Sequence, residues 1–199
     1  MININQLVKN SKNPSIFLNK YMEYLSYLFK NIDGSQLNKL VNEIKNAREN
    51  NNTIFVIGNG GSASTSNHFC CDFIKQISEN TKINPKVFSL SNNLETITAI
   101  ANDISFNKIF SFQAKNLIGK NDLIVIFSVS GNSKNLVEVI KYAKIKKIKT
   151  ISFTGQKNSY VAKNSNLNLN FESKNYGIVE DIHLSIMHLM SQILSKINS

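Results

Sequence analysis

The chain has 199 residues, 42% of them hydrophobic, which suits one domain with a real core and excludes a disordered chain. Its formal net charge of +10 rests almost wholly on lysine, with Arg48 as the one arginine, so the bidentate phosphate and base-edge contacts typical of nucleic-acid readers are not supplied. No apolar run reaches the roughly 18 residues of a membrane helix, MININQLVKN has no signal-peptide pattern, and adjacent Cys70 and Cys71 make no useful staple, so a cytoplasmic protein without membrane or nucleic-acid partners is expected.

Residues 14–32 are predicted to form an amphipathic helix, with Leu18, Tyr21, Leu25, Leu28 and Ile32 at near-heptad spacing. Phe17, Met22, Tyr24, Tyr27 and Phe29 add more apolar surface than one sheet face needs, which predicts burial in a subunit interface. Asp33 or Ser35 caps a second helix, whose Leu37, Leu40, Val41, Ile44 and Ala47 share a face, and Asn50-Asn51-Asn52 ends it.

The period then changes. TIFVI at 53–57 is a short continuous apolar run, as a buried parallel strand requires. A Gly-rich turn and a helix over 62–79 follow, then a strand at 86–90 and helical segments at 94–101 and 106–117. DLIVIF at 122–127 is a strand, followed by a Ser-rich turn and a helix over 133–146. Strands at 150–154 and 167–171 and a helix over 177–197 complete the chain. Strands that alternate with helices predict an α/β fold: a doubly wound, five-stranded parallel sheet in flavodoxin-like order, with helices on both faces. The expected organisation is one domain over 1–199, with 1–50 as an N-terminal helical extension used in oligomerisation and 51–199 as the α/β core. In such folds ligands bind beyond the carboxyl ends of the strands.

Both punctuating turns lie at that edge. In Gly58-Asn59-Gly60-Gly61-Ser62-Ala63, glycines let the backbone approach a ligand, and the helix start presents free N–H groups to an anion. The same letters fit a loose dinucleotide pattern, but the second strand runs into Ser91-Asn92-Asn93 without the acid that would hold a ribose. A Walker loop is excluded, because no Gly-Lys-Ser/Thr follows. In Ser128-Val129-Ser130-Gly131-Asn132-Ser133, three hydroxyls surround another helix start, which is chemistry for a phosphate dianion. A helix cap explains Asn132 or Ser133 and leaves Ser128 and Ser130 unexplained.

The three histidines are His68, His183 and His188. His68 and Asp72 are four apart on one helix face. Glu180 and His188 are eight apart on the last helix, roughly 80° around its axis, so one site could see both. Together the four could ligate a zinc-like metal or supply an acid and a base for proton transfer. His183 projects elsewhere and reads as structural.

GNGGSASTSNHFCCD, AIANDISFNKIF, SVSGNSKNLVEVIKYAK and VEDIHLSIMHLM, in this order and spacing, resemble the phosphoheptose isomerases of the SIS (sugar isomerase) class over about residues 50–197. The resemblance implies a homotetramer with active sites between subunits. It implies an enzyme converting sedoheptulose 7-phosphate to a mannoheptose 7-phosphate for surface polysaccharide. By motif position, Ser62, Ser128, Ser130 and Ser133 would hold phosphate, with Gly60, Gly61 and Asn132 in the same loops, and Asn59, Asn102, Asp103 and Glu180 would line the sugar. Asp72 and His188 would be the acid/base pair, and His68, Asp72, Glu180 and His188 the positions of Zn2+. Against the family's usual pattern, Asp72 replaces a glutamate, Glu180 a glutamine, Val129 a threonine, and Ile178 and Gln76 two arginines. Those changes bear on which sugar is used. Two further readings follow: an isomerase or sensor for another sugar phosphate, and a non-catalytic SIS protein that binds a protein such as the replication initiator.

Overall fold

The computed structural model describes residues 13–81 and 84–196; the segment MININQLVKN and Ile197, the predicted end of the last helix, lie outside them. Helix α1 (Pro14–Lys30) starts where Asn13 accepts the Ser15 and Ile16 N–H groups, with proline in the first turn. Helix α2 (Gly34–Glu49) is capped in the same way by Asp33. Arg48, near the end of α2, is buried, and its guanidinium donates to the Leu194 carbonyl at 3.0 Å, which ties the second helix to the last.

Five parallel strands follow: β1 (Ile54–Ile57), β2 (Val87–Ser89), β3 (Leu123–Ser128), β4 (Lys149–Thr154) and β5 (Leu167–Asn170). Their order is β2-β1-β3-β4-β5, the expected flavodoxin-like arrangement. Central β3 is buried at all six positions, which is why its sequence is an unbroken apolar run. The strand side chains alternate between two cores. Val56, Val125, Phe127 and Phe153 pack on one face with α2 and with later helices; Phe55, Ile57, Ile124 and Ile126 pack on the other. The chain turns left and right of β1, so the β1/β3 boundary is the topological switch point. The two motif loops leave those two strands and therefore flank that crevice.

Helix α3 (Gly61–Asp72) runs straight into a π-helical turn, Phe73–Ile77. Helix α4 (Leu94–Ile100) does the same at Ala101–Ser105, and a 3-10 turn then leads to α5 (Ile109–Leu117). The two helices predicted at 94–101 and 106–117 are thus joined without a loop. Such wide turns recur at functional sites, and these two adjoin or contain Asp72, Asn102 and Asp103. Helix α6 (Lys134–Lys146), the short α7 (Tyr160–Asn164) and α8 (Tyr176–Lys196) complete the fold. Tyr21 of α1 donates to the Asp181 carboxylate of α8, and burial followed by that carboxylate pushes the phenol's pKa upward. Among the described residues, no helix is long and apolar enough to cross a membrane.

Candidate active site

The first loop opens α3 without a side-chain cap. Gly60 holds the N-cap position at φ 55° and ψ −124°, a conformation closed to ordinary side chains. The first N–H groups of the helix therefore receive no side-chain cap at Gly60. Ser62 is buried in this first turn, and its carbonyl accepts from the Ser66 hydroxyl. Asn59 does not point freely into the crevice. Its amide exchanges two hydrogen bonds, of 3.0 and 2.9 Å, with the amide of buried Asn135 on α6. That reciprocal pair fixes the first loop to the helix that the second loop starts.

In the second loop, the buried Ser128 oxygen accepts the Gly131 N–H at 3.0 Å, and Ser130 accepts the Asn132 N–H at 3.3 Å. Gly131 sits at φ 62°, and a Cβ there would lie 2.1 Å from the Ser159 hydroxyl. Asn132 accepts the Tyr160 N–H at 2.9 Å and so braces the loop against α7. Ser133 takes the N-cap position of α6, yet its side chain makes no capping bond. The helix-cap explanation of Ser133 is therefore not realised, and its hydroxyl is half-buried.

The second group of residues lies between α3 and α8. Asp72 is buried, with one oxygen 3.4 Å from His68 Nε2 and the other 3.8 Å from His188 Nε2. The two histidine Nε2 atoms are 3.4 Å apart. Taking one donor atom from each residue, His68, Asp72 and His188 lie within 4.8 Å of one another, close enough for the three to hold one metal ion.

Glu180 is not brought to that group. Eight residues of α8 separate it from His188, about 12 Å of helix axis. Its carboxylate lies instead against the first loop, where a Cβ on Gly61 would fall 2.4 Å from Oε2. Burial, then the neighbouring Asp181 charge, pushes its pKa upward. Asn102 and Asp103 are exposed on the second π-helical turn and bond to each other at 2.8 Å. Of the positions that differ from the family pattern, Ile178 is fully buried in the core, Val129 is buried in its loop, and Gln76 meets the hydroxyl of Ser191 at 3.3 Å. Sequence reasoning passed over Asn135 and Ser191. Asn135 carries no local signal; Ser191 lies three residues after His188, a spacing that places both on one helix face.

Residues 17–155 match the family model of the SIS domain. The chain is 32% identical over 177 residues to a probable phosphoheptose isomerase of Thermoplasma acidophilum, covering 89% of this chain and 97% of that one. It is 28% identical over 179 residues to the phosphoheptose isomerase of Helicobacter pylori, covering 89% and 93%. Its fold matches that of a phosphoheptose isomerase from Neisseria gonorrhoeae with a TM-score of 0.83 at 22% identity, over 92% of this chain and 97% of that one.

Proposed function

This chain belongs to the SIS-domain family, in its phosphoheptose isomerase group, and on that premise we propose that it converts sedoheptulose 7-phosphate to D-glycero-D-manno-heptose 7-phosphate by proton transfer. The observation that carries this reading is the Asp72–His188 pair, two proton carriers held 3.8 Å apart beside His68. Asp72 takes the proton from the carbon next to the carbonyl and returns it to the neighbouring carbon through an enediolate. His188 gives a proton to one of the two substrate oxygens and takes it from the other. His68, Asp72 and His188 are the residues that would hold a zinc ion, which when bound supplies Lewis-acid polarisation of the carbonyl. The test is a panel of five- to seven-carbon sugar phosphates with products followed by NMR, with and without chelator. Failure of the heptose alone would favour the second reading, an enzyme or sensor for another sugar phosphate, which the absence of arginine at Gln76 and Ile178 supports. No turnover of any member would leave a binding protein.

The phosphate is assigned to the second loop. Ser130→Ala and Ser133→Ala are each expected to weaken sugar-phosphate binding by about 1–2 kcal/mol, the worth of a hydrogen bond to a charged group. Calorimetric binding equal to the parent in both would reduce the loop to a turn.

The site is proposed to be shared between subunits of a homotetramer. Asp72 stands eleven residues beyond Gly61 on α3, about 16 Å along the axis, so one subunit's phosphate loops sit far from its own acid/base pair. Helix α1 leaves Ile16, Leu18, Met22 and Tyr27 exposed, which supports the role of residues 1–50 in assembly. Light scattering at micromolar concentration is expected to give four times the 22.4 kDa chain mass. A stable monomer would overturn this.

A further inference from the structure

The buried carboxylate of Asp72 raises a question of support. It is one methylene shorter than the glutamate usual at its position, and it is 6% exposed, so it needs donors that water cannot supply. The two histidine nitrogens stand 3.4 and 3.8 Å away, beyond the usual 2.7–3.2 Å of an N–H···O bond. A third group is nearer than the farther histidine and carries no charge. Ser191, fully buried on α8, places its Oγ 3.3 Å from Asp72 Oδ2, the shortest of the three contacts although longer than the usual 2.5–3.0 Å of an O–H···O bond.

That hydroxyl faces three oxygens: Asp72 Oδ2 at 3.3 Å, Gln76 Oε1 at 3.3 Å and the His188 carbonyl at 2.9 Å. It has one proton and serves one of them at a time. The His188 carbonyl is interior to α8 and receives the N–H four residues on, so it does not depend on the serine. Among the described residues, Asp72 has only the more distant His68 and His188 nitrogens beside the serine. The Gln76 amide settles the rest by a half-turn, which presents Nε2–H to the serine oxygen. The chain of donors then runs Gln76 to Ser191 to Asp72. The π-helical turn that begins one residue after Asp72 carries Gln76, so both ends of the chain belong to the same irregular stretch of backbone.

We propose that Ser191, backed by Gln76, is a positioning residue that holds the short Asp72 carboxylate toward His68 and His188. The inference rests on the reading of Asp72 as a proton carrier and candidate metal ligand. Ser191 touches no substrate; it acts through Asp72.

The test compares Ser191→Ala with Ser191→Thr, which keeps the hydroxyl. Two readouts are taken on the full chain: calorimetric affinity for zinc(II) alone, and kcat and KM on whichever sugar phosphate the parent turns over. Groups that hold a metal ligand in place are worth about 10–100-fold in metal affinity or activity. Ser191→Ala is expected to lose zinc affinity and kcat within that range at unchanged KM, and Ser191→Thr to restore both. An active parent whose Ser191→Ala variant keeps its zinc affinity and kcat within two-fold overturns the inference alone. A parent without turnover whose zinc affinity falls in Ser191→Ala removes the proposed isomerisation and supports the inference. A parent with neither zinc affinity nor turnover overturns both, because Asp72 then has nothing to be positioned for.

Discussion

Asp72→Asn and His188→Ala are each expected to reduce turnover by about 10²–10⁴-fold, the usual cost of losing a positioned acid or base. Asp72→Asn is the sharper of the two. A carboxamide has nearly the same shape and fills the same buried space between α3 and α8, so folding and assembly should hold. What it cannot do is accept a proton from carbon. His188→Ala removes the partner 3.8 Å away and opens space at a partly exposed surface, where a cavity costs little. The measurement is kcat/KM on the responsive sugar phosphate, beside light scattering to show an unchanged assembly. Full activity in Asp72→Asn would end the proton-transfer mechanism and leave sugar-phosphate binding by the two loops as the surviving reading.

The legible parts of this site were those encoded over one helical turn. His68 and Asp72 are four apart, and α3 brings them to 3.4 Å as that spacing requires. The loops were legible because strand, glycine turn and helix succeed one another, and the sheet order then places both at one crevice. Glu180 shows where such reasoning stops. An angle of roughly 80° around an axis says that two side chains share a side, but eight residues of rise carry them about 12 Å apart, and the rise decides. The Asn59–Asn135 pair joins residues 76 positions apart, so no local pattern announces it. Helix α7 was missed because five residues with one buried side chain, Val161, cannot display a period. The wide turns at Phe73–Ile77 and Ala101–Ser105 keep helix-forming residues throughout, and their extra residue leaves no mark in composition.

His183 leads to the other large expected effect, on stability. Its reading as a structural residue agrees with its place: fully buried, with ring centroids 5.5 Å from Phe171, 5.6 Å from Phe127 and 6.5 Å from Phe153. Among the described residues, neither ring nitrogen has a hydrogen-bond partner. Burial disfavours the imidazolium and lowers the pKa from 6.5 to about 3. The unfolded chain therefore binds one more proton than the folded chain between those values. The stability tied to neutral His183 is complete above pH 6.5 and drains as pH falls toward 3, at about 1.4 kcal/mol per pH unit. Urea unfolding of the parent should thus show a loss of about 2 kcal/mol from this group between pH 6.5 and 5.0. His183→Leu has a similar volume and no ionisable or unpaired polar atom. It is expected to gain about 1–3 kcal/mol at neutral pH, from the removed desolvation penalty, and to lose the slope. The comparison of parent and variant at the two pH values cancels every other titrating group. Parallel pH profiles would mean that His183 protonates inside the native fold, which three phenylalanine rings and no counter-charge make costly. A neutral, unpaired histidine held in that cage is expected to make the fold lose stability at higher pH than exposed Asp33 and half-buried Glu138 would, since hydrogen bonds from Ser35 and Lys108 lower the pKa of those two carboxylates.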